Sequence, residues 1–226
     1  MNIAVLGTGM VGQALASRLA ELGHAVTVGT RNVAATMART EPDGMGNPPY
    51  PAWAQTHPEV RLGSFAEAAA GAELIVNATS GDGSIAALEA AGKENLAGKV
   101  LLDIANPLDF SKGFPPSLFV KDTDSLGEQI QRAFPELKVV KALNTLNATL
   151  MVNPRQLADG DHTVFVSGDD AEAKKRVSDL LTDFGHRDVI DLGDLATARG
   201  SEMLLPIWLQ LYGTLGNPTF NFKIVR

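Results

Sequence analysis

Short apolar runs alternate with stretches of helical spacing along nearly the whole chain. Asn2–Leu6 is the first run. Ala14, Leu15, Ala16, Leu19, Ala20 and Leu22 follow at close to helical spacing and predict a helix over 13–22. Residues 25–28, Ala-Val-Thr-Val, form a second strand. The alternation continues with a short helix over 33–39, a strand over 60–62, a helix over 65–70 and a strand over 73–76. A helix over 85–91, a strand over 99–103, a helix over 125–134 and a strand over 138–141 complete the first part. Beyond these the pattern predicts a strand over 163–166, a charged amphipathic helix over 169–184 and a strand over 188–191. A long apolar helix over 195–212 contains Pro206, which predicts a kink or break. A short strand over 220–225 closes the chain. Two stretches interrupt the pattern. Residues 41–58 hold five prolines together with Tyr50 and Trp53, and read as a long irregular connection. Residues 109–122 form a second loop, rich in Gly and Pro.

Alternating strands and helices imply a mostly parallel sheet with right-handed crossovers. The expected class is α/β, a Rossmann-type doubly wound sheet over 1–146 with a small C-terminal α/β annex over 147–226. Between the first strand and first helix lies Gly7-Thr8-Gly9-Met10-Val11-Gly12. In this strand–turn–helix–strand context the motif is a dinucleotide fingerprint. Gly7 permits the tight turn, Gly9 lets a pyrophosphate approach the backbone, and Gly12 lets helix pack on strand. The second strand runs into Thr30-Arg31-Asn32, where an NAD enzyme usually carries Asp or Glu. A carboxylate would repel a 2′-phosphate, whereas a hydroxyl and a guanidinium would bind it. The cofactor expected is NADP(H).

Composition narrows the partners. The 226 residues carry a net charge of −7 and no basic tract, which argues against nucleic acid. With no cysteine there is no disulfide, thiolate metal site or cysteine nucleophile. No apolar run reaches the length of a membrane span. The expectation is a cytoplasmic protein that neither enters a membrane nor holds a metal. His24, His57, His162 and His186 have no recognisable metal or triad spacing and read as structural or surface residues.

Ligands of doubly wound sheets bind beyond the carboxyl ends of the strands. That rule selects Thr8 to Val11, Thr30 to Asn32, the segment 77–80, Asn106 and Asn144. Each Asn or Thr could equally serve as a helix cap or turn residue.

At this point the motifs resemble the coenzyme F420-dependent NADP oxidoreductases. The resemblance rests on Gly7 to Gly12, Val28-Gly29-Thr30-Arg31, the stretch 139–145 (Val-Val-Lys-Ala-Leu-Asn-Thr), Val166-Ser167-Gly168-Asp169-Asp170, and the closing 202–224 with Leu205-Pro206. The same motifs are similar to the cytoplasmic domain of six-transmembrane metalloreductases. The resemblance implies hydride exchange between NADP(H) and a deazaflavin (F420) or flavin in a homodimer. It implies cofactor contacts at Thr8, Gly9, Met10 and Val11, at Thr30 and Arg31, and around Asn77, Ala78, Thr79, Asn106 and Ala142. Lys141, Asn144 and Thr145 are expected to meet the second substrate, Lys141 steadying an anionic acceptor. No side chain is expected to act as an essential acid or base, because the nicotinamide carries the chemistry. The apolar stretch 203–209 must be buried, under the sheet or against a second subunit.

Two other readings stay open. One is a Rossmann dehydrogenase or imine reductase acting directly on a small substrate; such enzymes append a large all-helical domain, whereas the segment after Thr145 is short and includes strands. The other is a non-catalytic NADPH-binding, redox-sensing module.

Overall fold

The alternating pattern builds one mostly parallel sheet with helices on both faces. The computed structural model describes residues 1–42 and 46–226. Its strands are β1 (Asn2–Leu6), β2 (Ala25–Thr30), β3 (Arg61–Ser64), β4 (Leu74–Asn77), β5 (Val100–Asp103), β6 (Leu108–Asp109), β7 (Ser117–Leu118), β8 (Lys138–Ala142), β9 (Thr163–Gly168) and β10 (Asp188–Gly193). Its helices are α1 (Met10–Glu21), α2 (Val33–Met37), α3 (Tyr50–Gln55), α4 (Phe65–Ala70), α5 (Ser84–Ala91), α6 (Lys93–Leu96), α7 (Leu126–Ala133), α8 (Ala148–Val152), α9 (Ala171–Phe184), α10 (Ala198–Met203) and α11 (Leu205–Leu215).

The eight-stranded sheet runs β10-β9-β8-β5-β4-β1-β2-β3. The strand order reverses between β1 and β4, so the crevice for a ligand lies at the carboxyl end of β1, where the glycine turn sits. β9 pairs antiparallel with β8, and β10 parallel with β9. The segment from 147 onward therefore extends the same sheet.

The central strands are apolar on both sides because helices cover both faces. Ile3 and Val5 of β1 join one core with Leu15 and Leu19 of α1, and with Val177 and Leu181 of α9. Ala4 and Leu6 join the other with Phe65, Leu88 and Ile130 from α4, α5 and α7. Ser64 and Glu67 form a capping box that starts α4, each satisfying a backbone N–H of the other.

The structure departs from the sequence pattern in several places. Within 41–58, α3 forms and packs Tyr50 into the core at 2% exposure; residues 43–45 lie outside the described residues. Pro51 sits in the first turn of α3, where a missing N–H costs nothing. The 109–122 loop carries the small antiparallel pair β6–β7 at its base. The expected helix over 195–212 divides at Leu204, with Pro206 in the first turn of α11. The expected strand over 220–225 does not form. That tail runs beside β9 through Thr163 N to Phe222 O, and Ile224 N to the Thr163 hydroxyl, without a continuous ladder. Of the apolar stretch 203–209, Leu205 and Leu209 are buried while Met203 and Ile207 face outward.

Candidate functional site

The glycine turn has the geometry its sequence demands. Gly7 adopts φ +126°, and a Cβ there would sit 2.8 Å from the Ala78 carbonyl carbon. A Cβ on Gly12 would sit 2.9 Å from the Gly7 carbonyl carbon and overlap its oxygen. These two glycines are required by close backbone approach. Gly9 differs: its φ of −78° suits any residue, and a Cβ would meet nothing within 4 Å. Gly9 is also the N-cap of α1, with no side-chain cap and no acidic residue in the first turn. The unpaired N–H groups of that turn and the helix dipole favour an anion in the open space beside Gly9. A pyrophosphate fits this cradle.

Cationic groups border it. Arg31 follows β2, is exposed, and makes no hydrogen bond or ion pair among the described residues. Arg39, just past α2, folds back over the glycine turn, where its Nη1 donates to Thr8 Oγ1 at 3.2 Å. Sequence reading missed Arg39. It lies at the end of a predicted helix, and no spacing rule brings it to the turn. Thr30 and Asn32 are partly committed elsewhere. The Thr30 and Thr36 hydroxyls bond each other at 2.8 Å in the interior, and the Asn32 side chain caps α2 by accepting from Ala35 N.

A polar row crosses the carboxyl ends of β4, β5 and β8. Asn77 pairs with Asp103, and Asp103 with Lys141, in the sheet register. All three are buried. Asn77 Nδ2 donates to Asp103 Oδ1 (2.8 Å) and Ser84 Oγ (3.0 Å), while its Oδ1 accepts from Thr79 N (3.3 Å) and Oγ1 (2.6 Å). Lys141 Nζ meets Asp103 Oδ2 and Glu202 Oε1, both at 2.8 Å, and donates to the Ala105 carbonyl. Burial pulls the Lys141 pKa down, but Asp103 and Glu202 outweigh it and hold the ammonium above its usual value. Glu202 also accepts from the first N–H groups of α7, at Leu126 and Gly127. The expectation that Lys141 steadies an acceptor is therefore corrected: every proton of its ammonium is spent inside the protein. Sequence could not reveal this, because Asp103 and Glu202 come from distant elements.

Farther along the same end, Asn144 Nδ2 donates to Asn106 Oδ1 (3.0 Å) and the Ser201 carbonyl (3.0 Å), and Asn106 Nδ2 returns a bond to the Asn144 carbonyl (2.8 Å). The bend before Asn144 holds Leu143 at φ +62°, a conformation a branched side chain rarely adopts. Ala142 lies in β8, and Thr145 is buried beside it. Met10 is exposed at the start of α1, and Ala78 presses its carbonyl on Gly7. The structure thus gathers Gly7 to Gly12, Arg31, the 77–79 loop, Asn106 and Asn144 at one end of the sheet. Two surface clefts of about 760 and 480 Å³ lie at the other end, around Lys138. They share no residue with the glycine turn.

The histidines stand apart from these strand ends. His57 stacks on Trp53 and bonds Ser17, docking α3 on α1. His162 and His186 are buried side by side, bonded to backbone carbonyls of Pro154 and Met151. Among the described residues no cluster of His, Cys, Asp and Glu could hold a metal ion, and no helix is long and apolar enough to cross a membrane.

Known proteins resemble this chain in sequence and in fold. Residues 2–107 match the family described as NADP oxidoreductase, coenzyme F420-dependent. The chain is 32% identical to the metalloreductase STEAP3 of Rattus norvegicus over 92% of its own length, spanning 38% of that protein. It is 32% identical to the F420-dependent NADP reductase of Methanocaldococcus jannaschii over 53% of each chain. A crystal structure from Arthrobacter sp. FB24, provisionally named an F420-dependent NADP-reductase, superposes with a TM-score of 0.96 at 64% identity over the whole of both chains. A reductive aminase from Aspergillus terreus in complex with NADPH gives a TM-score of 0.62 at 18% identity, over 95% of this chain and 62% of its own, which shows the fold alone. The chain belongs to the coenzyme F420-dependent NADP oxidoreductase family, a family of NADP-dependent oxidoreductases.

Proposed function

We propose that this protein transfers hydride between NADP(H) and a deazaflavin of the coenzyme F420 type, with flavins as weaker acceptors. The observation that carries the reading is the open cradle at Gly9, beside an uncapped helix N-terminus and two arginines and with no carboxylate at the end of β2. The acceptor is suggested by the names of the relatives. NADP(H), when bound, supplies or accepts the hydride at its nicotinamide. The N–H groups opening α1 would hold the pyrophosphate, and Arg31 and Arg39 the 2′-phosphate. The 77–79 loop, Asn106 and Asn144 would border the nicotinamide and the second ring system. Their small, neutral groups suit hydride transfer, which needs stacked placement more than proton exchange. No residue is assigned as an essential acid or base.

We also propose a homodimer. Met203, Ile207, Tyr212 and Leu215 leave an apolar stripe exposed along α10 and α11. A second subunit laid along it would bury the stripe. Anaerobic turnover assays with NADPH and coenzyme F420, FMN or FAD test the function. Turnover fastest with the deazaflavin is expected. NADPH binding without turnover on any of the three would turn the reading toward a non-catalytic NADPH-binding module.

A further inference from the structure

The interior around Lys141 holds one cation and two carboxylates where apolar side chains would pack at less cost. Buried ion pairs repay their desolvation only with excellent geometry, and apolar replacements of equal volume are often as stable. The row Asn77–Asp103–Lys141–Glu202 meets that demand. Each carboxylate takes at least three bonds, and the ammonium is fully occupied.

This row has a direction. Because Asp103 is held as an acceptor by Lys141, the Asn77 amide must turn its Nδ2 toward Asp103 and Ser84. Its Oδ1 is then left facing Thr79, and fixes both the backbone N–H and the hydroxyl of that residue. In a doubly wound sheet β1, β2 and β3 form the half that takes the adenosine side of a dinucleotide, and β4, β5 and β8 the half that takes the nicotinamide side. We infer that Lys141 is a positioning residue for the nicotinamide half of NADP(H), acting through Asp103 and Asn77 on the 77–79 loop, with Glu202 as its anchor on α10. The inference rests on the proposed NADP(H) function. It differs from a role in overall stability because it predicts a loss confined to one half of the cofactor.

Two variants test it, Lys141→Met and Glu202→Gln. The first removes the cation. The second leaves one acceptor oxygen for three donors: Lys141 Nζ, Leu126 N and Gly127 N. Calorimetric titration compares NADPH with adenosine 2′,5′-bisphosphate, which carries only the adenosine half and its 2′-phosphate. Lys141→Met is expected to weaken NADPH about 10- to 30-fold and Glu202→Gln about 3- to 10-fold, the scale of one or two lost hydrogen bonds. Affinity for the bisphosphate is expected to stay within about twofold in both, since its partners are untouched. Equal weakening of the two ligands, or unchanged NADPH affinity, would overturn the positioning role. Should Lys141→Met not yield folded protein, Glu202→Gln decides by the same criteria. A wild-type protein that binds neither ligand would instead refute the NADP(H) reading, and the positioning role with it.

Discussion

Replacing Gly9 by alanine separates binding from folding. The methyl group would meet no atom within 4 Å, and the backbone at φ −78° and ψ −178° accepts an L side chain without strain. Restricting the unfolded chain stabilises by about 0.4–1 kcal/mol. Alanine is the poorer N-cap, which costs a similar amount. The two nearly cancel, so Gly9→Ala should stay within about 0.5 kcal/mol of wild type, or roughly 2 °C in Tm for a chain of this size. Gly12→Ala is the contrast. Its Cβ lies 2.9 Å from the Gly7 carbonyl carbon, backbone against backbone, so the turn must shift. Overpacking of this kind costs about 2–3 kcal/mol, or roughly 4–12 °C. If a pyrophosphate lies against Gly9, the harmless methyl group occupies its place, and NADPH affinity should fall at least about 30-fold, or ~2 kcal/mol. Thermal unfolding and calorimetric titration of the same samples read both quantities. A Gly9→Ala protein with wild-type stability and wild-type NADPH affinity would refute the placement of the cofactor.

Further outcomes follow from the same structure. Arg31→Ala should weaken NADPH about 10- to 100-fold, and Arg39→Ala somewhat less, with NADH nearly unchanged in paired titrations; equal losses for both nucleotides would make the arginines structural. Burial holds the His186 pKa down at about 4, so between pH 6.5 and 4 the unfolded chain binds a proton that the folded one refuses. Stability contributed at neutral pH is therefore lost as pH falls through this window, by up to about 3 kcal/mol, and urea unfolding should show a shallower acid loss in His186→Leu; identical pH slopes would contradict this. Sedimentation at micromolar concentration should give a dimer that Ile207→Glu and Leu215→Glu together dissociate, and a monomeric wild type would rule out the interface.

What could be read in the sequence was local. The glycine turn, β1, α1 and β2 are contiguous, so spacing and residue type sufficed to identify them. Asn77, Asn106 and Asn144 were legible as polar residues at strand ends, where an apolar core has none. Residues whose meaning depends on distant partners were not. By position Lys141 resembles a ligand group, but Asp103 and Glu202 enclose it. By position Arg39 resembles the exposed end of a helix, but its side chain reaches back to Thr8. The prolines around Tyr50 suggested irregular chain, although Pro51 opens a helix that inserts the tyrosine into the core. The closing tail had strand-like residues, but side-chain tethers hold it. Asn221 bonds His162 and the Thr163 carbonyl, and Lys223 pairs with Asp161 and Asp188.

The proposed reaction is a direct hydride passage between NADP(H) and a deazaflavin. NADPH carrying deuterium in both C4 positions, mixed anaerobically with this protein and oxidised coenzyme F420, tests it most directly. One deuterium bound to carbon is expected in each reduced deazaflavin, with one NADPH oxidised per acceptor reduced. Reduced deazaflavin without deuterium, or no reduction while NADPH remains bound, would contradict it.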